Sequence, residues 1–330
     1  MATNEISKNL YANLGRSGLR ISKVVLGAMS YGTPDWQGWV LDEAQSLPLL
    51  EYAYKAGIRT WDTANIYSHG RSEEIIGKAI KQFSIPREKL PEPSTVNDGE
   101  MLNMTGLSRK HILDAVDKSV ARLGTYIDVL QIHRLDRSVP REEIMRALND
   151  VVESGKVRYI GASSMAAWEF QELQYIADKH NWHKFVSMQD YYNLLYREEE
   201  NEMIPYCKHA GIGLIPWSPV ARGALTRPWN DRANSLRETK DAALNKLVRG
   251  RNDKVDEEIV GRCQKVAEKI GKSMAQVAIA WCLNHGTCPI VGLNKKERID
   301  EAVAACDIVL RDEDIAYLEE PYMPKKRQGY

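Results

Sequence analysis

The sequence has no excess charge of either sign, because 45 lysine and arginine residues balance 45 aspartate and glutamate residues. A neutral chain offers no general electrostatic attraction for nucleic acid or for an anionic membrane surface. No apolar run approaches the 18 residues expected of a membrane-spanning helix, and residues 1–14 lack the apolar core of a signal peptide. We therefore expect a soluble cytoplasmic protein with no nucleic-acid and no membrane partner.

Cysteine is scarce and irregularly spaced. The five cysteines are Cys207, Cys263, Cys282, Cys288 and Cys306. Their number is odd, and no two of them have the spacing of paired metal ligands. We expect reduced thiols, as in cytosolic proteins, and no metal site.

Short apolar segments alternate with longer amphipathic ones along most of the chain. Helical patterns are predicted over 46–57, 72–83, 108–124, 140–155, 165–180 and 199–210. Strands are predicted over 23–29, 58–62, 126–133, 157–164, 185–190, 211–218 and 288–294. Nearly all-apolar strands between amphipathic helices indicate a parallel sheet covered by helices. Residues 225–255 are charged, lack apolar periodicity and are predicted to form a long excursion.

Seven strands favour a (β/α)8 barrel over an open doubly wound sheet. The open sheet would need a phosphate-binding fingerprint after its first strand, and VVLGAMSYG (24–32) lacks the G-x-G-x-x-G pattern. No linker or repeat divides the chain, so we expect one α/β barrel domain over residues 1–330. An eighth strand, third in order, should precede the helix at 108–124.

That third slot holds REKLPEPSTVNDGE (87–100), which is an unfavourable strand sequence. Pro91 and Pro93 cannot donate hydrogen bonds to a sheet, and the polar run that follows is typical of a loop. The sequence therefore predicts a barrel whose third strand, around residues 87–105, is defective or missing.

Polar and aromatic residues follow several of the predicted strands, at the barrel end where active sites lie. They are Asp62, Tyr67, His133, Ser163, Ser164, Gln189, Asp190, Trp217 and Ser218. A tyrosine, a histidine and an aspartate at one mouth suit proton transfer to a carbonyl oxygen. Each has a structural alternative: Asp62 can cap a turn, Tyr67 can pack in a loop, and His133 and Trp217 can belong to the core.

Five motifs in series resemble the aldo-keto reductase family, and most closely its fungal aryl-alcohol-dehydrogenase-like branch. They are WDTANIYSHGRSEEIIGKAI, LQIHR, VRYIGASS, IPWSPVARGAL and PIVGLNKKERIDEA, within a resemblance that runs from about residue 11 to 319. The resemblance implies a (β/α)8 barrel that binds NADP without a Rossmann domain. It also implies hydride transfer between the nicotinamide and a small-molecule carbonyl or alcohol.

The resemblance also implies roles for individual residues. Tyr67 matches the family's proton donor, Asp62 its acidic partner, and His133 the histidine that orients the carbonyl. The implied cofactor contacts are Asp62, Ser163, Ser164, Gln189, Trp217, Ser218, Pro219, Val220, Ala221, Arg222, Gly223, Gly292, Asn294, Arg298, Glu301 and Ala302. Arg298, with Lys295 and Lys296, suits a 2′-phosphate and so favours NADP over NAD, although a solvated helix start explains these charges equally well.

The family's proton relay includes a lysine at the end of the third strand, whose charge lowers the pKa of the tyrosine. An ungapped count places that position near Thr95, which carries no charge. Lys89 lies six residues earlier, too far to substitute at about 3.3 Å per residue. The resemblance thus implies slower proton transfer from Tyr67 in this chain.

Three functions remain open from the sequence. The first is an NADP-dependent reductase or alcohol dehydrogenase for aryl or polyketide-like carbonyls, of the kind used in secondary metabolism; Tyr31, Trp36, Trp39 and Trp61 would suit a flat substrate. The second is a non-catalytic NADP-binding protein, similar to potassium-channel β subunits. The third is an unstable product of a mispredicted gene, without activity.

Overall fold

The fold was analysed in a computed structural model that describes residues 8–90, 93–96, 105–234 and 253–328. Two short antiparallel strands, β1 (Tyr11–Asn13) and β2 (Arg20–Ser22), open it. Eight parallel strands follow: β3 (Val25–Gly27), β4 (Trp61–Ala64), β5 (Pro93–Val96), β6 (Ile127–Ile132), β7 (Val157–Ser163), β8 (Phe185–Gln189), β9 (Gly213–Leu214) and β10 (Ile290–Val291).

The parallel strands form one sheet in the order β10-β3-β4-β5-β6-β7-β8-β9. Its two ends are joined by backbone hydrogen bonds: the amide of Cys288 donates to the carbonyl of Leu214, and that of Ile290 to the carbonyl of Pro216, each at 2.8 Å. A further parallel bridge pairs Trp217 with Ile290. The predicted (β/α)8 barrel is therefore confirmed.

Helices follow the strands and pack around the sheet. The helices of the described residues are α1 (Glu43–Lys55), α2 (Arg71–Gln82), α3 (Arg109–Leu123), α4 (Arg141–Glu153), α5 (Ala167–Lys179), α6 (Met203–Ala210), α7 (Asp253–Ile270), α8 (Met274–Asn284), α9 (Lys296–Ala305) and α10 (Asp312–Glu319). Helix α1 begins earlier than predicted, because Asp42 and Gln45 form a reciprocal capping box ahead of Pro48. Of the predicted excursion, residues 235–252 lie outside the described residues, and α7 starts before its end.

The third strand, predicted to be defective or missing, is present as β5 and is only four residues long. Its Ser94 and Thr95 pair with Thr63 and Ala64 of β4, and Pro93–Val96 pairs with 129–132 of β6. A proline is compatible with the first position of a strand, where the lost N–H matters least. Pro93 lies at that position, which explains how a strand begins at a residue that the sequence analysis counted against one.

Among the described residues, the start of β6 has no strand neighbour on the side of β5. Arg87 occupies this edge: its guanidinium forms an ion pair with Asp128 and donates a 2.8 Å hydrogen bond to the carbonyl of Tyr126. The guanidinium carbon also lies 4.4 Å from the centre of the Tyr126 ring. An arginine side chain thus satisfies backbone and carboxylate groups that a longer third strand would cover.

Candidate active site

The polar residues predicted for the barrel mouth converge there, because each follows or ends a strand of one parallel sheet. Asp62 is on β4, Tyr67 begins the turn after it, and His133 follows β6. Ser163 ends β7 and Gln189 ends β8. Within the described residues no cluster of histidine, cysteine or acidic side chains could hold a metal ion.

Asp62 lies at the base of the site with only 3 % of its surface exposed. Its Oδ1 accepts hydrogen bonds from Nε2 of Gln189 at 3.0 Å and from Nε2 of Gln131 at 3.3 Å. Burial raises the pKa of Asp62 to about 7, and the two amide donors oppose this rise. The carboxyl group is thus divided between its neutral and ionised forms near neutral pH.

Tyr67 is presented by a strained turn, Tyr67–Gly70, in which Ser68 and His69 adopt left-handed backbone angles with φ of 49° and 55°. Its ring lies 6.0 Å from that of Trp36 and 6.3 Å from that of His133, the latter edge to face. Burial, and then the charge of Asp62, raise the pKa of Tyr67 above its usual value. The phenol is therefore protonated at neutral pH, in the form that can donate.

His133 is neutral over the physiological range. Burial, followed by the adjacent positive charge of Arg134, lowers the pKa of His133 to about 4. Its Nδ1 is buried without a hydrogen-bond partner among the described residues. A neutral imidazole beside a phenol can hold a carbonyl oxygen by hydrogen bonding but is not itself charged.

Ser163, Ser164, Gln189 and Asp190 form one hydrogen-bonded cluster beside Trp217. Ser163 Oγ donates to the carbonyl of Gln189 at 2.7 Å, and the amide of Ser164 donates to Oδ1 of Asp190 at 3.1 Å. The indole N–H of Trp217 donates to Ser164 Oγ at 3.3 Å. Burial, and then the charge of Glu199, raise the pKa of Asp190. The two serines and the tryptophan, from β7 and the strand end after β9, thus form one wall of the mouth.

The Trp217 ring stacks on Tyr191, with centroids 4.5 Å apart. The segment that follows it, Ser218 to Gly223, turns sharply: Ser218, Ala221 and Arg222 have φ of 57°, 47° and 55°. Asn193 Nδ2 donates to the carbonyl of Ser218 at 3.1 Å and supports this turn. Pro219 and Val220 lie within this turn. The supporting residue Asn193 was not among the predicted site residues.

A second group of the predicted contacts lies after β10. Arg298, on α9, donates from Nη1 to Oδ1 of Asn294 at 2.7 Å. Gly292 precedes this pair, Glu301 and Ala302 follow on α9, and Ala302 is buried. Partial burial and the positive charge of Arg227 lower the pKa of Arg298. The charge of Glu301 opposes this fall in the pKa of Arg298, and neither Arg227 nor Arg298 forms an ion pair with a carboxylate of the described residues.

Lys296 and most of the aromatic residues proposed to receive a substrate make contacts away from Tyr67. The Lys296 ammonium is 5.3 Å from the centre of the Tyr52 ring on α1. Of the four aromatic residues proposed to receive a flat substrate, Trp36 contacts Tyr67, whereas Trp61 is fully buried and donates to the carbonyl of Ile58. Tyr31 is also fully buried and donates to the carbonyl of Leu293. Trp39 is buried too, so Trp36 is the aromatic residue of this set that the structure brings to Tyr67.

Gln131 and Arg134 belong to the site but were not predicted. Gln131 lies on β6, two positions before His133, so continued strand alternation places the two side chains on the same face. Arg134 donates to the carbonyl of His133 and, at 3.2 Å, to Oγ of Ser163. The signal that could have found them is their position beside a predicted site residue at a strand end.

Thr95, near which an ungapped count places the family's lysine, pairs through its backbone with Ala64 and Gln131. Lys89 lies in the turn Arg87–Lys89, before the start of β5 and so at the opposite end of that strand from the mouth. The expectation that Lys89 is too far away to substitute agrees with this placement.

Comparisons with known proteins identify relatives that are all named as reductases or dehydrogenases. Residues 23–322 match the sequence profile of the aldo/keto reductase family. Versiconal hemiacetal acetate reductase of Aspergillus parasiticus is 63% identical over 335 aligned residues, covering 96% of this chain and 97% of that protein. A Schizosaccharomyces pombe protein, named provisionally as an aryl-alcohol dehydrogenase, is 51% identical and covers 99% of both chains.

An aldo-keto reductase of Alternaria alternata is 45% identical, over 98% of this chain and 94% of its own. No helix among the described residues is long and apolar enough to cross a membrane. With the profile spanning nearly the whole barrel and relatives aligned end to end, the chain belongs to the aldo/keto reductase family and is an oxidoreductase of its fungal aryl-alcohol-dehydrogenase-like branch.

Proposed function

We propose that this oxidoreductase uses NADPH to reduce an aryl or polyketide-like aldehyde or ketone to an alcohol, or catalyses the reverse reaction. The observation that carries the proposal is the Tyr67 ring, which meets the neutral His133 imidazole edge to face and packs against Trp36. A protonated phenol beside a neutral imidazole suits proton donation to a carbonyl oxygen that the imidazole holds in place.

Each residue of this group has a distinct task in the proposal. The nicotinamide cofactor supplies the hydride. Tyr67 donates its proton to the carbonyl oxygen in reduction and takes it back in oxidation. His133 orients that oxygen by a hydrogen bond, and Trp36 covers the flat face of the substrate. Asp62, held by two amide donors, fixes the base of the site.

The cofactor is proposed to be NADP. Members of the family generally use a nicotinamide cofactor, and the finer choice rests on Arg227 and Arg298. Both arginines act at this end of the site without an ion pair to a carboxylate of the described residues, and guanidinium groups bind a phosphate such as the 2′-phosphate of NADP well. Ser163, Ser164 and Gln189 would hold the carboxamide and Trp217 would stack on the nicotinamide ring. The turn Ser218–Gly223 and residues 292–302 would bind the phosphates and the adenosine end.

The substrate is proposed from the relatives and from the mouth. The 63% identical relative is named for the reduction of versiconal hemiacetal acetate, which makes that compound the first to test. Trp36 beside Tyr67 supports a substrate with an aromatic face. The five free cysteines of the described residues support a cytoplasmic location. The fungal reductase relatives support a role in secondary metabolism.

Thr95 in place of the family's lysine favours a second function, a non-catalytic NADP-binding protein, and in the enzyme it implies slower turnover. The test is NADPH oxidation at 340 nm with versiconal hemiacetal acetate and a panel of aryl aldehydes, alongside calorimetric titration of NADPH. Turnover with binding supports the reductase. Tight NADPH binding without turnover of any carbonyl would replace it by the non-catalytic function, and a chain that neither binds NADPH nor unfolds cooperatively would refute both.

A further inference from the structure

Arg134 is a half-buried cation at the centre of the mouth that the proposed chemistry does not yet use. It follows His133 directly at the end of β6. Its Nη1 donates to the carbonyl of His133 and to Oγ of Ser163, the latter at 3.2 Å. The guanidinium carbon lies 5.9 Å from the centre of the Trp217 ring. Hydrogen bonds and a ring contact therefore fix the cation between three residues of the site.

No carboxylate of the described residues forms an ion pair with Arg134, and Asp190 acts on it without such a contact. Most other partly buried arginines of these residues have an ion pair. Arg87 pairs with Asp128, Arg122 with Glu73, and Arg197 with Glu200 and Glu319. Burying a guanidinium without a direct ion-pair partner is unfavourable. Such an arrangement at an active-site mouth suits a group that becomes anionic during the reaction.

Tyr67 is the group of the mouth that becomes anionic when it gives up its proton. The charged and titratable groups that act on it are Asp62 on β4, which disfavours the anion, and Arg134 and Arg222, which favour it; its ring also contacts the neutral His133. The interaction is reciprocal, because Tyr67 and Asp190 in turn stabilise the charged form of Arg134.

We propose that the Arg134 guanidinium supplies the positive charge that stabilises the tyrosinate of Tyr67 when its proton passes to the substrate carbonyl. The inference rests on the proposed function in giving Tyr67 the role of proton donor. Arg134 is then a positioning residue that acts through Tyr67. Its charge would offset part of the slower proton transfer expected from the missing lysine near Thr95. Arg222 is a weaker candidate for this role, since it lies in the turn proposed to bind the cofactor phosphates.

The proposal is tested on Tyr67 itself, without turnover. A difluorotyrosine, which ionises at lower pH than tyrosine, is placed at position 67, and its ionisation is followed by fluorine NMR in the protein without cofactor. We expect Arg134→Gln to lower the ionisation constant about tenfold or more, a shift of roughly one pKa unit. Arg134→Lys, which keeps the charge, should lie close to the parent protein. The matched control is Arg137→Gln, which removes a half-exposed cation from its ion pair with the buried Glu169, a carboxylate that Arg141 continues to pair with.

Arg134→Met serves as the neutral variant if Arg134→Gln does not fold, as judged by circular dichroism. If the difluorotyrosine at position 67 ionises at the same pH in the neutral variant as in the parent protein, the proposal is overturned, whatever the turnover of the variant. In active enzyme, the pH at which alcohol oxidation reaches half its maximum should rise by the same amount in the neutral variant. A shift in the NMR titration of a protein that reduces no carbonyl would uphold the role of Arg134 and refute the proposed function instead.

Discussion

Tyr67 and His133 meet edge to face, with ring centroids 6.3 Å apart and planes at 88°. They follow β4 and β6, which are separated in the sheet by the four-residue strand β5. The position of the two rings therefore depends on a strand that the sequence makes poorly suited to its place. By pairing with both neighbours, β5 sets the spacing across which the phenol and the imidazole meet.

Asp62 should make the protein less stable as the pH rises from about 4 to 7. Its pKa is raised by burial to about 7, so in this range the folded protein binds a proton that the unfolded chain has released. Stability therefore falls with rising pH, by at most about 1.4 kcal/mol per pH unit for one proton. Asp62→Asn should remove this component, and urea denaturation of both proteins between pH 4 and 8 measures the difference. Parallel stability curves for the two proteins would contradict the raised pKa.

Arg298→Met should weaken NADPH binding and leave NADH binding nearly unchanged. A hydrogen bond to a charged group contributes roughly 1.5–3 kcal/mol, which corresponds to about a 10- to 150-fold loss of affinity. Calorimetry with both cofactors checks the selectivity. Lys296→Met is the comparison variant, and its effect should be smaller because that ammonium lies over the Tyr52 ring. Equal losses for NADPH and NADH would assign Arg298 a structural role.

The C-terminal segment should depend on Lys325 for its attachment. The Lys325 ammonium forms an ion pair with Asp256 of α7, and the two side chains are 6% and 1% exposed. Removing one member of a buried pair leaves the other charge uncompensated, at a cost of about 3–5 kcal/mol. Lys325→Met should lower the free energy of unfolding by this amount, and Lys325→Met with Asp256→Leu should recover part of it.

Lys184→Met provides the control for that measurement, because it breaks an ion pair with Asp178 in which both side chains are more than half exposed. Exposed pairs contribute about 1 kcal/mol or less. A Lys325 variant no less stable than the Lys184 variant in urea denaturation would show that the segment is held by other contacts.

The barrel could be predicted from the sequence because seven of its strands are largely apolar and most of them alternate with amphipathic helices. The third strand could be predicted only as defective or missing, because Pro91 and Pro93 argue against strand pairing. The ion pair of Arg87 with Asp128, which covers the neighbouring edge of β6, forms only in the folded protein. Helix α8 was also missed, since it is buried on nearly all sides and has no polar face to give it a period.

The site was also predicted only in part, because some of its residues can be recognised only from contacts that form in the folded protein. Asp62, Tyr67 and His133 lie in motifs that resemble a known family, and they converge at the mouth. Gln131 and Arg134 carry no pattern of their own, and their contacts to Asp62 and Ser163 arise only when β4, β6 and β7 come together. The contacts that a site residue makes across a barrel depend on the register in which neighbouring strands pair, and the sequence alone does not determine that register.

The most direct test is the rate of NADPH-dependent carbonyl reduction by the parent protein and by Tyr67→Phe, with NADPH affinity measured on both. Loss of the general acid should lower kcat by about 10²- to 10⁴-fold while NADPH binds with nearly unchanged affinity. A Tyr67→Phe variant that reduces the substrate as fast as the parent protein would contradict the assignment of Tyr67 as proton donor.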